Sequence, residues 1–72
     1  MSRRRELAQQ NVTASTRRTR EAIADAEARI PSLTGEALAR TQANLASHRR
    51  HLAECRDAQG ALNDGDVPEG WA

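Results

Sequence analysis

The sequence predicts an all-α protein: an antiparallel hairpin of two helices, able to dimerise into a four-helix bundle, with disordered ends. Two observations predict this fold. Small and apolar residues recur at helical spacing in two segments of similar length, and fourteen alanines favour helix in both. A single breaker, Ile30-Pro31-Ser32-Leu33-Thr34-Gly35, separates the segments. We predict a hairpin over residues 1–60, with helix one at about 5–30, a turn at 31–35 and helix two at about 36–59, followed by a flexible acidic tail over 61–72.

Helix one is predicted from a stripe of residues spaced alternately four and three positions apart. Its members are Val12, Thr16, Thr19, Ile23, Ala26 and Ile30, with Ala8, Ser15 and Ala22 along the edge. Because Val and Thr lose side-chain freedom in a helix, the half before Arg20 is expected to fray. Whether the Arg-rich N-terminus is helical stays open. Pro31 biases Ile30 away from helical geometry and is expected to end the helix.

Helix two is predicted from start and stop residues and a seven-residue repeat. Thr34 is the expected N-cap, with Glu36 in the first turn facing the positive end of the helix dipole, and Gly60 is expected just after the helix. The repeat consists of Leu38, Leu45 and Leu52, with Thr41, His48 and Cys55 three positions after each. Ion pairs four residues apart are expected to support both helices: Arg17–Glu21, Asp25–Arg29, Glu36–Arg40 and Arg50–Glu54.

The shared seam of this hairpin should be thin. A chain of 72 residues buries little surface, and the predicted stripes are largely Ala and Thr. Trp71 is the only aromatic residue. We therefore expect the hairpin either to self-associate as a four-helix dimer or to fold fully on a protein partner.

The charge is unevenly distributed although the formal net charge is only +1. All eleven basic residues are Arg; residues 1–20 carry a net +5, whereas residues 57–72 carry −4. Such asymmetry indicates interaction surfaces rather than a fold. A single cysteine, the absence of an apolar segment behind the start MSRRREL and the lack of any long apolar run predict a cytoplasmic protein without a membrane partner.

The sequence offers one cluster of residues with metal-binding chemistry. His48, His51 and Cys55 stand three and four positions apart, so a helix would bring them to one side. A zinc site would still need a further ligand, and we favour ordinary seam-edge and solvated roles for these residues. Cys55 is expected to be an exposed thiol prone to interchain disulfides. We predict no enzymatic activity, no catalytic residue, no bound metal and no cofactor, since a two-helix protein provides no evident pocket.

The function favoured by these features is regulation by protein–protein interaction. An antiactivator or anti-repressor, which sequesters a transcriptional regulator, needs only a binding surface, and bacterial mobile elements commonly encode such small proteins. The candidate partner-binding residues are Leu38, Leu45, Leu52, Ile23, Ile30 and Trp71. For the leucines, we favour packing within the hairpin or against a twin subunit. Trp71 either anchors the tail in a partner's groove or folds back onto the hairpin, with equal weight.

The alternative function is a dimeric hairpin that binds RNA or DNA through its first helix. The arginines that would contact phosphates are Arg3, Arg4, Arg5, Arg17, Arg18 and Arg20. Against this alternative stand the near-neutral total charge, the acidic tail and the lack of aromatics that could stack on bases. In the favoured interpretation, the same arginines steer binding toward an acidic protein partner.

Overall fold

Two long helices lie side by side in opposite directions. The structure, a computed structural model, describes residues 3–72 and comprises α1 (Arg3–Arg29), a 3-10 turn (Ile30–Ser32) and α2 (Gly35–Asn63). The guanidinium of Arg5, at the start of α1, donates to the carbonyl oxygen of Leu62, at the end of α2, over 2.6 Å. The rod measures 51 × 15 × 14 Å. The predicted all-α hairpin is confirmed, and its Arg-rich first segment is helical from Arg3.

The connection between the helices is built around Pro31. This proline lies in the first part of the 3-10 turn, which closes with a hydrogen bond of 3.0 Å from the Leu33 amide to the Ile30 carbonyl. Thr34 is the N-cap of α2, as predicted, and has extended backbone angles, although its side chain makes no capping hydrogen bond. Gly35 begins α2 at a φ of +58°, a conformation that other residues adopt at a cost.

The end of α2 lies further along the chain than predicted. Gly60 is inside the helix, so its assignment as the residue after the helix is wrong. Gly65 has that role: at a φ of +90° its amide donates to the Leu62 carbonyl over 3.1 Å, and the Asp66 amide donates to Ala61 over 2.9 Å. These two bonds are those of a Schellman motif, which turns the chain back on itself.

The seam between the helices is filled mainly by small residues. The buried residues of α1 and α2 are Ala8, Val12, Ser15, Thr19, Ala26, Leu45, Cys55, Ala58 and Leu62. The centre of the α1 stripe therefore runs through Ala8 and Ser15, which were expected at its edge, whereas Thr16, Ile23 and Ile30 are only half-buried. Small side chains let the helix backbones approach, and the bulkier isoleucines are accommodated beside the line of closest contact.

The tail lies against the open end of the hairpin. Ala8, Val12, Ala58 and Leu62 form one buried cluster, and the partly buried Val67 and Trp71 pack against it. The indole of Trp71 also stacks on the imidazole of His51, with 6.2 Å between ring centroids and 23° between planes. Asn11 donates from its side chain to the Trp71 carbonyl over 2.5 Å. Of the two roles considered for Trp71, the structure shows packing on its own hairpin.

Ion pairs contribute little to the hairpin. Of the four predicted pairs, only Asp25–Arg29 comes within range, at 3.9 Å, and the other three do not form among residues 3–72. A pair that sequence spacing did not indicate joins the helices instead, from Arg49 to Glu27 at 3.2 Å. Both side chains are more than half exposed, so each pair is expected to stabilise the fold by less than about 1 kcal/mol.

The packing of Trp71 predicts that the tail stabilises the hairpin. Trp71→Ala should cost about 1–2 kcal/mol because a half-buried indole returns to water, which lowers the melting temperature by roughly 4–16 °C in a domain of this size. Removal of the chain after Asp64 should have at least the same effect. Thermal unfolding followed by circular dichroism measures both, with Trp71→Phe as the matched control that keeps a ring on the cluster. An unchanged melting temperature in the truncated protein would show that the tail does not stabilise the hairpin.

Candidate functional site

Five of the six predicted partner-binding residues, Trp71 among them, remain partly open to solvent. Ile23, Ile30, Leu38 and Leu52 are half-buried, and we refer to these four as the aliphatic edge. Ile23 and Ile30 are seven residues apart, so they lie on one side of α1. Leu38 and Leu52 are two seven-residue intervals apart and likewise lie on one side of α2. Leu33, in the turn, is also half-buried, and it was not among the predicted partner-binding residues because it lies outside both repeats.

The other two predicted partner-binding residues are occupied within the chain. Leu45 is buried in the seam with 6% of its surface exposed. Trp71 lies on the cluster at the open end and stacks on His51. The open end is therefore covered by the chain's own tail, whereas the aliphatic edge has no equivalent cover among residues 3–72.

The six candidate arginines are all exposed but separate into two groups. Arg3, Arg4 and Arg5 stand at the open end, where α2 also finishes and the acidic tail begins. Arg17, Arg18 and Arg20 stand in the middle of α1, away from that tail. The antiparallel fold thus places the start of α1 and the end of α2 together, whereas Arg17, Arg18 and Arg20 lie at mid-length.

Two of the three arginines in the middle of α1 line the same groove as an arginine of α2. Arg17 and Arg20 of α1 and Arg56 of α2 line an open groove of about 510 Å³. Its remaining lining residues are Thr13, Thr16, Glu21, Cys55 and Gln59. We call this feature the arginine groove. Arg18 does not line it. Arg56 was not assigned to a basic surface from the sequence, because residue spacing within one helix does not show which residues of α2 face Arg17 and Arg20.

The groove adjoins the aliphatic edge. Arg20 precedes Ile23 by three residues, and Leu52 precedes Arg56 by four, so each arginine is a neighbour of an edge residue on its own helix surface.

The tail lies on a different side of the hairpin from the groove. Asn11, which holds the Trp71 carbonyl, is nine residues before Arg20, about two and a half helical turns, and therefore on the opposite side of α1.

The cluster of His48, His51 and Cys55 is engaged in packing and hydrogen bonds. The Nε2 of His51 lies 2.8 Å from the Ser15 hydroxyl, and its Nδ1 lies 3.4 Å from a Glu54 carboxylate oxygen. The Cys55 thiol donates to the same Ser15 hydroxyl over 3.7 Å. No group of three or more His, Cys, Asp or Glu side chains within residues 3–72 is placed to hold a metal ion. The expectation of an exposed thiol is wrong, because Cys55 is fully buried in the seam.

A pair of glutamines also links the helices and was not expected from the sequence. The side-chain amides of Gln9 and Gln59 donate to each other's oxygens over 2.8 and 3.0 Å. Each amide also donates to a residue four positions along its own helix, Thr13 and Asn63 respectively, at 3.0 Å. The pairing fixes the helix register beside the groove and presents a polar rim there.

Comparison with family models, curated proteins and solved structures gives no match to this chain. Within residues 3–72, neither helix has a stretch long and apolar enough to cross a bilayer. Any functional inference therefore depends on the surfaces described above.

Burial of Cys55 predicts slow thiol chemistry. A thiol-specific reagent such as dithionitrobenzoate should label the native protein only when the helices separate, so that the labelling rate rises as urea unfolds the chain. The matched control is Cys55→Ser with Ala53→Cys, which moves the thiol to an exposed position two residues earlier on α2. The control should react at the rate of a free thiol without urea. Equal native rates for the two proteins would contradict the buried position.

Proposed function

We propose that this chain is a small cytoplasmic regulatory protein that binds another protein through the aliphatic edge. The observation that carries the proposal is the set of four half-buried aliphatic side chains beside a seam otherwise built from small residues. Covering their remaining apolar surface would contribute about 25 cal/mol for each Å² removed from water. The hairpin would gain in stability from the same contacts.

The chemistry of the edge specifies the kind of partner. Arg20 and Arg56 flank Ile23 and Leu52, so the favoured partner surface has an apolar stripe bordered by carboxylates. An amphipathic helix meets both requirements, since its apolar face can lie along the edge as in other helix-in-groove complexes. The partner helix would extend the hairpin toward a three- or four-helix arrangement.

Occlusion is the mechanism that such a surface supports. The hairpin is a rod 51 Å long, and by covering the apolar face of a partner's amphipathic helix it would prevent that helix from binding its usual target. Sequestration of a transcriptional regulator, as an antiactivator or anti-repressor does, is the function we propose on this basis. No chemical step is required of the hairpin.

Nucleic-acid binding is the second candidate, favoured by the arginine groove. Three guanidinium groups on one surface can contact phosphates, and a dimer would double their number. Two features weaken this candidate. Trp71, the only Trp, Tyr or Phe of the sequence, packs against His51 and the open-end cluster, and Arg5 is engaged with the Leu62 carbonyl. We therefore keep protein binding as the primary proposal.

Substitution on the aliphatic edge tests the proposal. Leu38→Asn should weaken capture of the partner from the native host at least ten-fold, because it places an amide within the apolar contact. The matched control is Ala39→Asn, the same new side chain at the neighbouring exposed position, which should leave capture unchanged. Quantitative pull-down with nuclease treatment is the measurement, and sedimentation of each variant reports the oligomeric state.

The outcomes separate the candidates. Capture that is abolished by nuclease supports nucleic-acid binding and contradicts the primary proposal. A Leu38→Asn variant that captures the partner as well as the wild type shows that the edge is not the binding surface. Loss of a wild-type homodimer in Leu38→Asn, without any captured partner, assigns the edge to self-association instead.

Charge around the edge predicts a salt-dependent association rate. Arginines that steer an acidic partner raise the rate of encounter, and salt screens this attraction over about 8–10 Å at physiological ionic strength. The association rate constant, measured by stopped flow or biosensor, should fall several-fold between 50 and 500 mM NaCl, while the dissociation rate changes little. Arg18→Gln, outside the groove, should retain most of this dependence. A rate independent of salt would disprove steering.

A further inference from the structure

The arginine groove contains more positive charge than the chain itself neutralises. No hydrogen bond or ion pair within residues 3–72 engages the guanidinium groups of Arg17, Arg20 or Arg56. Glu21 is the only carboxylate in the lining, and it forms no ion pair with the arginine four residues before it. Three guanidinium charges against one carboxylate leave a net charge of +2 around a space of about 510 Å³.

The donors of the groove suit a tetrahedral oxyanion. Each guanidinium offers five N–H donors and no acceptor, and both Thr13 and Thr16 add a hydroxyl. A carboxylate presents two oxygens in one plane and a single charge, and a single arginine can contact both of them. A phosphate monoester presents three strongly accepting oxygens and a charge of about −1.5 to −2 at neutral pH. The charge of the phosphate balances the net charge of +2 on the lining residues, and its oxygens can accept hydrogen bonds from donors on both helices.

The length of the groove argues for a single phosphate rather than a nucleic-acid backbone. Its α1 residues, from Thr13 to Glu21, span eight steps of about 1.5 Å, or roughly 12 Å. No aromatic side chain lines it, so it lacks the stacking platform typical of single-strand binding sites. A second pocket of about 300 Å³ shares Thr13 and Arg17 and continues toward Gln9, Gln10 and Ala14. That amide-bearing extension can accommodate the polar organic group of an ester.

We infer that the arginine groove binds the dianionic phosphate group of a monoester. Arg17, Arg20 and Arg56 are the principal ligands, Thr13 and Thr16 supply hydroxyl donors, and the neighbouring pocket receives the esterified group. The site is formed by the isolated hairpin and does not depend on the protein partner proposed above. A free phosphate, a small phosphate ester and a phosphorylated side chain share the recognised chemistry.

Titration of the intact chain followed by amide chemical shifts tests the inference. The probes are inorganic phosphate, glycerol phosphate and a short peptide with one phosphoserine, each at constant ionic strength with NaCl as the reference. We expect perturbations confined to residues 13–21 and 55–59 with inorganic phosphate, and extended to residues 9 and 10 with the two esters. The probe bound most tightly identifies the source of the phosphate. Arg20→Gln or Arg56→Gln should weaken binding about ten-fold or more, as expected for loss of a charge-assisted hydrogen bond. Glu21→Gln should strengthen binding.

Arg18→Gln is the matched control, because it removes one positive charge from the same stretch of α1 without touching the groove. It should leave phosphate affinity within about two-fold. An equal loss in Arg18→Gln and Arg20→Gln would reduce the effect to overall charge and overturn the site. So would shifts that NaCl reproduces, or binding of an oligonucleotide without binding of any monoester. Circular dichroism confirms that each variant is folded.

Discussion

The small residues along the seam are the constraint from which the rest of this structure follows. Ala8, Ala26 and Ala58 allow the two helices to approach, but they remove little apolar surface from water. Among residues 3–72, only three large aliphatic side chains, Val12, Leu45 and Leu62, are buried between the helices. Because ordering the chain costs conformational entropy, contacts outside this seam, such as those of the tail, add to the stability of a hairpin built in this way.

The two ends of the rod differ in whether the chain itself covers their apolar side chains. At the open end, the Schellman motif at Gly65 turns the chain so that Val67 and Trp71 cover the buried cluster. The first turn of α1 is joined to the same end of the hairpin, because Arg5 donates to the Leu62 carbonyl. Toward the turn, no described segment covers Ile30 or Leu38. The surface left available for a partner is therefore the aliphatic edge, and the unbalanced charge next to it is the arginine groove.

The sequence predicted the helices well because their signals are local. Stripe periodicity, Pro31 and Thr34 act within a few residues. The two helices form, α1 ends before Pro31 and Thr34 is the N-cap of α2, although the buried stripe of α1 is centred closer to Ala8 and Ser15 than predicted. The prediction that Gly60 follows α2 was wrong because a glycine within a long helix costs only about 1 kcal/mol, which the helical turns on either side can offset. The remaining features join residues 36 to 60 positions apart: Ser15 with His51, Gln9 with Gln59, and Asn11 with Trp71. No spacing rule connects such pairs, so neither the burial of Cys55 nor the groove could be derived from sequence.

The position of the groove beside the edge connects the two proposals physically. Arg20 and Ile23 are neighbours on α1, as are Leu52 and Arg56 on α2, so a partner lying along the edge also borders the groove. A phosphate group held there would cancel the net charge of +2 that attracts an acidic partner. Free phosphate would then oppose association by removing the steering field, whereas a phosphate carried by the partner would add a charge-assisted contact to the apolar one. The same three arginines would thus set both the rate and the chemical specificity of binding.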